Sequence, residues 1–478
     1  MAGMWGLTVA VFHLGAALLI SARVLLRPRI SPSARLAWIL VIEAVPLIGI
    51  VAYLLFGEVR MRRADKQRMA DVRAALTGVW KPSPDVVTAP PDYAQQVIAA
   101  CRATGGMLPV SGNRLTLLEE SDAAIDHLVG AIDAAHSSVH LLFYIWLPDT
   151  SGAKVAEAVI RARARGLTVR VVIDALGSRL LARSELWERM RASGAECVRA
   201  FPWGNPVLRA LVQRLDLRNH RKIVVIDNRI AFTGSRNCSD TAFAIKPRYA
   251  PWIDILIRIE GPAVRELQGV FLQDWMSYTG EDLGAMLEMV PAVADPGQIA
   301  QVMATGPDQN GASLPDCMAT LIYAARRRLT ITTPYYVPDE AVDAAIRSAA
   351  RRGVHVTLVL PERNDSLTVA AASEGYFRAL LRAGVRITLF RGGLLHAKII
   401  TVDGQMALIG SANLDRRSFD LNYEVNLLVV DDDFTAELDE RQASYVARAR
   451  RLTLREVEAW SRLRRIRNNL AAVAAPLL

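Results

Sequence analysis

Two stretches of this sequence place a histidine, a lysine, an aspartate, a glycine, a serine and an asparagine at the same relative spacing. The first copy of the pattern consists of His220, Lys222, Asp227, Gly234, Ser235 and Asn237, and the second of His396, Lys398, Asp403, Gly410, Ser411 and Asn413. Each of these residue types has its own chemical use, so a double match is strong evidence of an enzyme.

A histidine beside a lysine favours phosphate chemistry over metal binding. The lysine would repel a metal cation, and no further His, Cys or carboxylate stands at ligand spacing, so neither a metal nor another cofactor is expected. The lysine, the Gly-Ser turn and the Asn amide can instead donate to the non-bridging oxygens of a phosphoryl group. Two such half-sites supply two histidines across one phosphorus, one as nucleophile and one as general acid and base. The spacing leaves open which histidine attacks.

The residues around each pattern indicate how these side chains are held. Each copy reads as a β-branched strand, a tight turn that begins at Asp227 or Asp403, and a second strand. Alternate residues of a strand point to one face, so the histidine and lysine of each copy should project together. Asp227 and Asp403 are expected to hold the strand turn.

The doubled pattern resembles the HKD motifs of the phospholipase D superfamily, and the resemblance covers roughly residues 115–435. It implies two repeats in a pseudo-twofold α/β/α sandwich, an active site on the seam between them, and a phosphohistidine formed without metal. It also implies that Asp254 and Glu424, which follow the two motifs on apolar strands, pair with the histidine Nδ1 atoms. The implied catalytic set is His220, Lys222, Asp227, His396, Lys398 and Asp403, supported by Ser235, Asn237, Asp254, Ser411, Asn413 and Glu424.

An internal duplication extends beyond the motifs. Residues 139–149 and 329–339 both read as an apolar strand, aromatic residues and Pro-Asp. Each is followed by an Ala/Arg-rich helix that should end at Gly166 or Gly353, before another strand. Alternating strands and helices predict an α/β fold with parallel sheets.

Two groups of residues at strand ends have both a functional and a structural interpretation. Tyr144, Thr333, Tyr335 and Tyr336 could line a headgroup pocket or belong to the core. Asn364, Asp365 and Ser366 could bind glycerol hydroxyls or form a plain turn. An insertion in the first copy, residues 202–219, mixes apolar residues with arginines and fits either lipid contact or a surface helix.

The N-terminus contains two apolar segments, residues 4–22 and 37–57, each long enough to span a bilayer. They predict a two-helix transmembrane hairpin, since no basic region precedes the first segment as it would in a signal peptide. Glu43 interrupts the second segment, with Arg23 as its candidate partner. A small excess of basic residues after the hairpin places the catalytic part in the cytoplasm.

Composition fits two repeats with additional segments. The chain has 478 residues, of which 52% are hydrophobic, and a net charge of +9 that suits an anionic partner. Its four cysteines show no regular framework. The basic amphipathic tail could contact an anionic leaflet, cap the second repeat, or do both. The expected order is a membrane hairpin (1–60), a linker (61–114), a first repeat (115–285), a linker (286–312), a second repeat (313–440) and the tail (441–478).

With the hairpin, motifs and tail together, the chain specifically resembles the bacterial cardiolipin synthases of the phospholipase D superfamily. The resemblance implies an inner-membrane phosphatidyltransferase that makes cardiolipin and glycerol from two molecules of phosphatidylglycerol. One alternative is a phospholipase D-type phosphodiesterase that hydrolyses phospholipid or, less in keeping with two apolar spans, nucleic acid. Another is a membrane scaffold without catalytic activity, which the intact motifs disfavour. Phosphatidylglycerol and anionic lipid are the expected partners, nucleic acid is not, and no oligomeric state is indicated.

Overall fold

A computed structural model describes residues 2–27, 32–79, 89–105, 107–118, 120–202, 214, 216–288, 293, 297–309 and 314–474. The chain divides into two compact units. The N-terminal unit comprises residues 1–64, 203–216 and 476–478, and the large unit comprises residues 65–202 and 217–475. Most of the insertion predicted to contact lipid or form a surface helix, residues 203–213 and 215, lies outside the described residues.

The helices are α1 (Ala2–Leu26), α2 (Pro32–Ala44), α3 (Pro46–Ala52), α4 (Arg63–Val79), α5 (Asp92–Gly105), α6 (Ala123–Asp133), α7 (Thr150–Ala164), α8 (Glu185–Ala192), α9 (Ala263–Thr279), α10 (Leu314–Ala324), α11 (Glu340–Arg351), α12 (Leu367–Arg382), α13 (Arg416–Asp420), α14 (Asp432–Ala447), α15 (Leu454–Glu458) and α16 (Arg462–Ala474). The strands are β1 (Val110–Leu117), β2 (Ser138–Phe143), β3 (Thr168–Asp174), β4 (Glu196–Ala200), β5 (Arg218–Asn219), β6 (Lys222–Ile226), β7 (Ile230–Gly234), β8 (Trp252–Ile253), β9 (Leu256–Glu260), β10 (Gln298–Thr305), β11 (Arg328–Thr332), β12 (Tyr336–Val337), β13 (His355–Pro361), β14 (Arg386–Phe390), β15 (Leu394–Leu395), β16 (Ile399–Val402), β17 (Met406–Gly410), β18 (Leu414–Asp415), β19 (Asn422–Val430) and β20 (Ala449–Leu452).

A 16-stranded mixed sheet runs through the large unit in the order β20-β14-β13-β11-β16-β17-β19-β10-β1-β9-β7-β6-β2-β3-β4, with β5 attached to β19. On one side of the central β10–β1 pair the strands are β19, β17, β16, β11, β13 and β14, and on the other side they are β9, β7, β6, β2, β3 and β4. The strands therefore follow the same order in the two sequence copies, which meet at the antiparallel β1–β10 pair.

The prediction of parallel sheets is correct only in part. Parallel pairing joins β2, β3 and β4 in the first copy and β11, β13 and β14 in the second, where helices connect successive strands. Apart from the short parallel β5–β19 pair, the remaining pairs of the large sheet are antiparallel, and they include the motif hairpins β6–β7 and β16–β17.

The duplicated local signals form matching structures in the two copies. Both residues of the turn after β6, Asp227 and Asn228, have positive φ, and so do Asp403 and Gly404 after β16. Two consecutive residues with positive φ form the tight hairpin turn that the sequence predicted. Asp149 and Asp339 cap α7 and α11 by accepting from the Gly152 and Val342 amides.

Each copy has its own apolar core. Val139, Val155 and Leu128 belong to the core of the first copy, whereas Leu329 and Ile346 belong to the core of the second. Helices α9 and α14, which belong to neither of these two cores, also pack against the sheet.

Most of each of the three segments predicted to lie outside the repeats belongs to the large unit. Residues 61–114 contain α4, α5 and β1, and the apolar face of α5 is buried in the core of the second copy. Cys101 of α5 also forms a disulfide with Cys317 of α10, a pairing that the sequence did not indicate. The second expected linker supplies β10, and the tail supplies β20 beside β14.

In the N-terminal unit, the second apolar segment is divided into α2 and α3 at Val45. Pro46 follows this break and cannot donate a backbone hydrogen bond, which explains why the helix does not continue unbroken. Among the helices of the described residues, none combines the length and the apolar character that crossing a bilayer requires.

The expected pairing of Arg23 with Glu43 is wrong. Arg23 donates to both carboxylate oxygens of Glu58, at 2.7 and 2.9 Å, and Arg27 and Tyr53 donate to the same carboxylate. Glu43 instead accepts a 3.0 Å hydrogen bond from the hydroxyl of Ser21. Glu58 follows the apolar segment, where it meets the two arginines at the end of α1.

Candidate active site

Short strands from one copy pair with strands from the other and thereby position the two histidines. Strand β5 runs parallel to β19, and the backbone N–H of His220 donates to the Tyr423 carbonyl at 2.9 Å. Strand β15 runs parallel to β8, and the N–H of His396 donates to the Ile253 carbonyl at 2.8 Å. Because both pairings join the two copies, neither copy alone can build this arrangement.

The carboxylates that orient the histidines are exchanged between the copies. Nδ1 of His220 lies 2.9 Å from Glu424 Oε2, and Nδ1 of His396 lies 2.7 Å from Asp254 Oδ1. An ionised carboxylate can only accept, so each Nδ1 carries the proton and each Nε2 is left for a substrate. The sequence resemblance implied these carboxylates as partners, but it did not indicate that each acts on the histidine of the other copy.

The motif serines support the carboxylates. Ser235 Oγ donates to Asp254 Oδ1 at 2.6 Å, and its backbone N–H donates to the Ile255 carbonyl. Ser411 makes the equivalent bonds to Glu424 and to the Val425 carbonyl. The prediction that the Gly-Ser turns donate to a phosphate is therefore wrong, because both donors of each serine are already used.

The two motif lysines are buried within the same charged cluster. Lys222 Nζ donates to the carbonyl of His220 at 2.6 Å, and Lys398 Nζ donates to the carbonyl of His396. Burial lowers the pKa of Lys222 to about 7 and that of Lys398 to about 8, against the opposing charges of Glu424 and Asp254. A bound anion would favour the charged form of both lysines.

The histidines are neutral and their carboxylate partners are ionised at neutral pH. Burial lowers the pKa of His220 to about 4 and also lowers the pKa of His396. Burial alone would raise the pKa of Glu424, but the interaction with His220 lowers it to about 2. Lys398 acts electrostatically on His220, and Lys222 acts on His396, so the two half-sites form one cluster. A neutral imidazole with an available Nε2 lone pair is suited to nucleophilic attack.

Aromatic rings pack beside both histidines. The Tyr144 ring meets His220 edge-on with centroids 4.7 Å apart, and Lys222 Nζ lies 5.4 Å from the same ring. Trp252 lies 4.8 Å from His396. Tyr336, by contrast, is buried in the core of the second copy and donates to Asp343. Of the two interpretations of these tyrosines, Tyr144 fits the site and Tyr336 fits the core.

The polar residues after β11 and β13 have mixed positions. Asn364 donates to the Pro334 carbonyl and accepts from the Ser366 amide, and Ser366 caps α12, so these two residues form a turn. Asp365 accepts from Tyr335 and from Lys246, both at 2.6 Å, and its charge acts on Lys398. Asp365 is thus the member of this group that lies near the cluster.

Thr333 is tied to the backbone beside these residues. Its hydroxyl donates to the Tyr335 carbonyl at 3.0 Å and accepts from the Leu414 amide at 3.3 Å. Both bonds hold the loop after β11 against β18, which is a structural arrangement.

Asp227 and Asp403 occupy the other end of the motif strands. The Asp227 carboxylate accepts from the amides of residues 136–138, and that of Asp403 accepts from the amides of residues 326–328. Asp227 stands five positions after Lys222, a span of about 16 Å along a strand. Although the resemblance placed Asp227 and Asp403 in the catalytic set, their hydrogen bonds to backbone amides hold the hairpin in place.

The side chains of the motif asparagines bond to neighbouring protein groups, one to the backbone and one to a carboxylate. Asn237 accepts from the Ile145 amide at 3.2 Å, and the amide group of Asn413 donates to Asp415 at 3.4 Å. Within the described residues, no group of three or more His, Cys, Asp or Glu side chains is arranged to hold a metal ion.

Sequence reasoning missed a buried ion pair beside His220. Arg221 donates to Asp274 at 2.6 Å, to the Glu424 carbonyl at 3.1 Å and to the Thr305 carbonyl at 3.1 Å. The second motif has Ala397 at the equivalent position, so the duplication gave no signal for this contact. Asp274, the one acidic residue in the largely apolar stretch 270–276, was the available clue. Trp252 was also missed, although it stands two residues before Asp254 and therefore shares its face of the chain.

Comparison with known proteins places this geometry in a family. The family model described as "Cardiolipin synthase, PLD-like domain" matches residues 128–275 and 318–445, which is more than half of the chain. The chain belongs to this family. A second model, described as "Phospholipase_D-nuclease N-terminal", matches residues 16–58.

Similar members of the cardiolipin synthase family match almost the whole chain. Cardiolipin synthase A of Edwardsiella ictaluri is 38% identical over 451 residues, which cover 90% of each protein. Cardiolipin synthase A of Yersinia pestis is 37% identical over 470 residues, which cover 96% of each. Among solved structures, phosphatidylserine synthase of Haemophilus influenzae gives a TM-score of 0.62 at 14% identity, covering 80% of this chain and 100% of that chain. This last likeness shows a shared fold.

Proposed function

We propose that this protein transfers the phosphatidyl group of one phosphatidylglycerol to the glycerol headgroup of a second, which gives cardiolipin and free glycerol. The observation that carries the proposal is the single buried cluster of two histidines, each with Nδ1 held by a carboxylate and Nε2 left for the substrate. The relatives named cardiolipin synthase A, which match along almost their full length, support the choice of lipid.

In the first step, Nε2 of one histidine attacks phosphorus and the bond from phosphorus to the glycerol oxygen breaks. The other histidine, protonated on Nε2, gives its proton to the departing oxygen, so that neutral glycerol leaves. The anionic phosphodiester, bound near Lys222 and Lys398, favours the protonated form of the histidine that acts as acid. The carboxylate on Nδ1 stabilises the imidazolium.

In the second step, the hydroxyl of another phosphatidylglycerol loses its proton to the same acid–base histidine and attacks phosphorus. The bond from phosphorus to the first histidine then breaks, and both histidines return to their starting states. One phosphodiester has been exchanged for another, so no nucleotide is consumed. The burial of both histidines and both lysines limits the access of water, which favours a lipid alcohol as acceptor over hydrolysis.

The same proposal includes membrane attachment through the N-terminal segments. Residues 4–22 and 37–57 are almost free of ionised residues, and the match of residues 16–58 to the N-terminal family model supports their role as a hairpin. An inner-membrane location would keep the cluster beside two lipid substrates. A cytoplasmic orientation of the large unit follows from the excess of basic residues after the second segment.

The test uses the full chain in mixed micelles with phosphatidylglycerol labelled in the headgroup. We expect cardiolipin and free glycerol in equal amounts, lower cardiolipin yield when free glycerol is added, and no product from His220→Ala or His396→Ala. The exposed Asp126→Asn provides a control that should retain the parent activity, since its carboxylate forms a surface pair with Lys154. Phosphatidic acid as the main product at every glycerol concentration would assign the protein to hydrolysis instead.

A further inference from the structure

Helix α16 near the C-terminus presents a row of exposed apolar side chains. Leu463, Ile466, Leu470 and Val473 are 77%, 57%, 64% and 67% exposed. Their spacing of three, four and three residues places all of them on one face of the helix. We refer to these four residues as the α16 stripe.

The opposite face of α16 is packed against α12, so the outward direction of the stripe is fixed. Asn468 is buried and donates to Glu374 at 2.7 Å. Arg464 forms an ion pair with the same carboxylate at 2.6 Å, and its guanidinium lies 3.9 Å from the Trp460 ring centroid. Ala471 packs against a small apolar cluster that includes Ala372 of α12. The stripe therefore belongs to an ordered helix that is already anchored on its other side.

The charge of α16 indicates what covers the stripe. The helix contains four arginines and no acidic residue, and Arg462 and Arg465 are exposed beside the stripe. An apolar row flanked by arginines matches the boundary between acyl chains and phosphates in an anionic bilayer. A second copy of the chain would bring the same positive charges together and is disfavoured.

The stripe also leads toward the site. Along α12, Arg382 meets Glu458 of α15, Glu374 meets Asn468 of α16, and Val369 joins the same small apolar cluster as Ala471. The C-terminal end of α16 therefore approaches the start of α12, where Leu367 is 81% exposed.

The loop before Leu367 connects this surface to the charged cluster. Asp365 stands two residues before Leu367, and its charge acts on Lys398. Leu180 occupies the corresponding place in the first copy, six residues after the end of its strand, and is also exposed. An apolar residue thus marks the equivalent loop in each copy, on the side of the sheet where the site lies.

We propose that α16 is an interfacial helix that lies on an anionic bilayer surface and holds the loop before Leu367, whose Asp365 lies near the charged cluster, against the lipid. The proposal rests on the proposed function for the lipid nature of the substrate. It assigns the large unit a membrane contact of its own, in addition to any anchoring by the N-terminal segments.

The first test compares two presentations of the same substrate. The full-length variant Ile466→Gln/Leu470→Gln, reconstituted in phosphatidylglycerol vesicles, should lose about tenfold in kcat/KM, because two of the four apolar contacts with the bilayer are replaced by amides. With short-chain phosphatidylglycerol below its micellar concentration, the same variant should stay within about twofold of the parent, since no bilayer is involved. The apolar variant Ile466→Leu/Leu470→Met is the matched control and should behave as the parent in both assays.

A direct readout of contact is hydrogen exchange of α16 in the parent protein. Amides of residues 462–474 should exchange more slowly in anionic vesicles than in zwitterionic vesicles or detergent. Unchanged activity of the glutamine variant on vesicles, or an equal loss on vesicles and monomers, would overturn the proposal. Protection that rises with protein concentration without lipid would assign the stripe to a second copy. Failure of the proposed function would instead appear as a parent that makes no cardiolipin from either substrate, while hydrogen exchange still reports membrane contact.

Discussion

Replacement of Asp254 by Asn removes the negative charge next to His396 Nδ1 and preserves the shape of the side chain. Asp254 Oδ1 lies 2.7 Å from His396 Nδ1, and both groups are buried. With charge centres about 4 Å apart and an effective dielectric constant of about 20, the attraction between carboxylate and imidazolium is about 4 kcal/mol. At about 1.4 kcal/mol per decade, its loss from the transition state should lower kcat by about a thousandfold.

The assay is formation of labelled cardiolipin by the purified full chain, with kcat corrected for the folded fraction. Asp403→Asn is the matched control, because Asp403 belongs to the motif that contains His396 but its carboxylate holds the backbone amides of residues 326–328. Its melting temperature should fall, but its kcat should remain within about threefold of the parent. The pairing of His396 with the carboxylate of the other copy would be refuted as a catalytic feature if Asp254→Asn kept more than about a tenth of the parent kcat, or if both variants lost the same activity.

Three further predictions concern pH, a buried ion pair and metals. With His220 as the attacking residue, kcat/KM should fall as pH falls through about 4, because its Nε2 gains a proton. As pH rises through about 7 to 8, kcat/KM should fall because Lys222 and Lys398 lose their protons, and a pH–rate profile without this alkaline limb would contradict the role of the lysines. Arg221→Met should destabilise the protein by about 3–5 kcal/mol, because it leaves the buried Asp274 without its ion-pair partner. The melting temperature should recover in Arg221→Met/Asp274→Leu, and a single variant as stable as the parent would show that the pair is unimportant. Activity should survive excess EDTA, because the lysines supply the positive charge at the phosphate; complete loss that one divalent ion restores would oppose this site.

The local features of the fold could be predicted because short sequence signals specify them. The Asp-Asn and Asp-Gly turns after β6 and β16, and the aspartate caps of α7 and α11, depend on residues close in the chain. The participation of β1 and β10 in the sheet was not predicted, because strands that lie outside the recognised repeats carry no motif of their own. The ion pairs of Glu58 with Arg23 and Arg27 depend on how distant segments pack.

In the candidate site too, local sequence predicted some features, and others depend on the packing of distant segments. The histidines and lysines could be named from spacing, and the resemblance supplied Asp254 and Glu424. Their exchange between the copies could not be predicted, because it depends on the pairing of β5 with β19 and of β15 with β8. Those pairs join residues more than a hundred positions apart, and no periodic pattern in the sequence encodes them.

The direct test of the two-histidine account is the stereochemical course of the transfer at phosphorus. The full chain would be given phosphatidylglycerol made chiral at phosphorus by isotopic or sulfur substitution, and the configuration of the cardiolipin product would be determined by phosphorus NMR. Two successive in-line displacements, first by a histidine and then by the second lipid, predict retention of configuration. Inversion would mean that the second lipid attacks phosphorus directly, and it would contradict the covalent histidine intermediate.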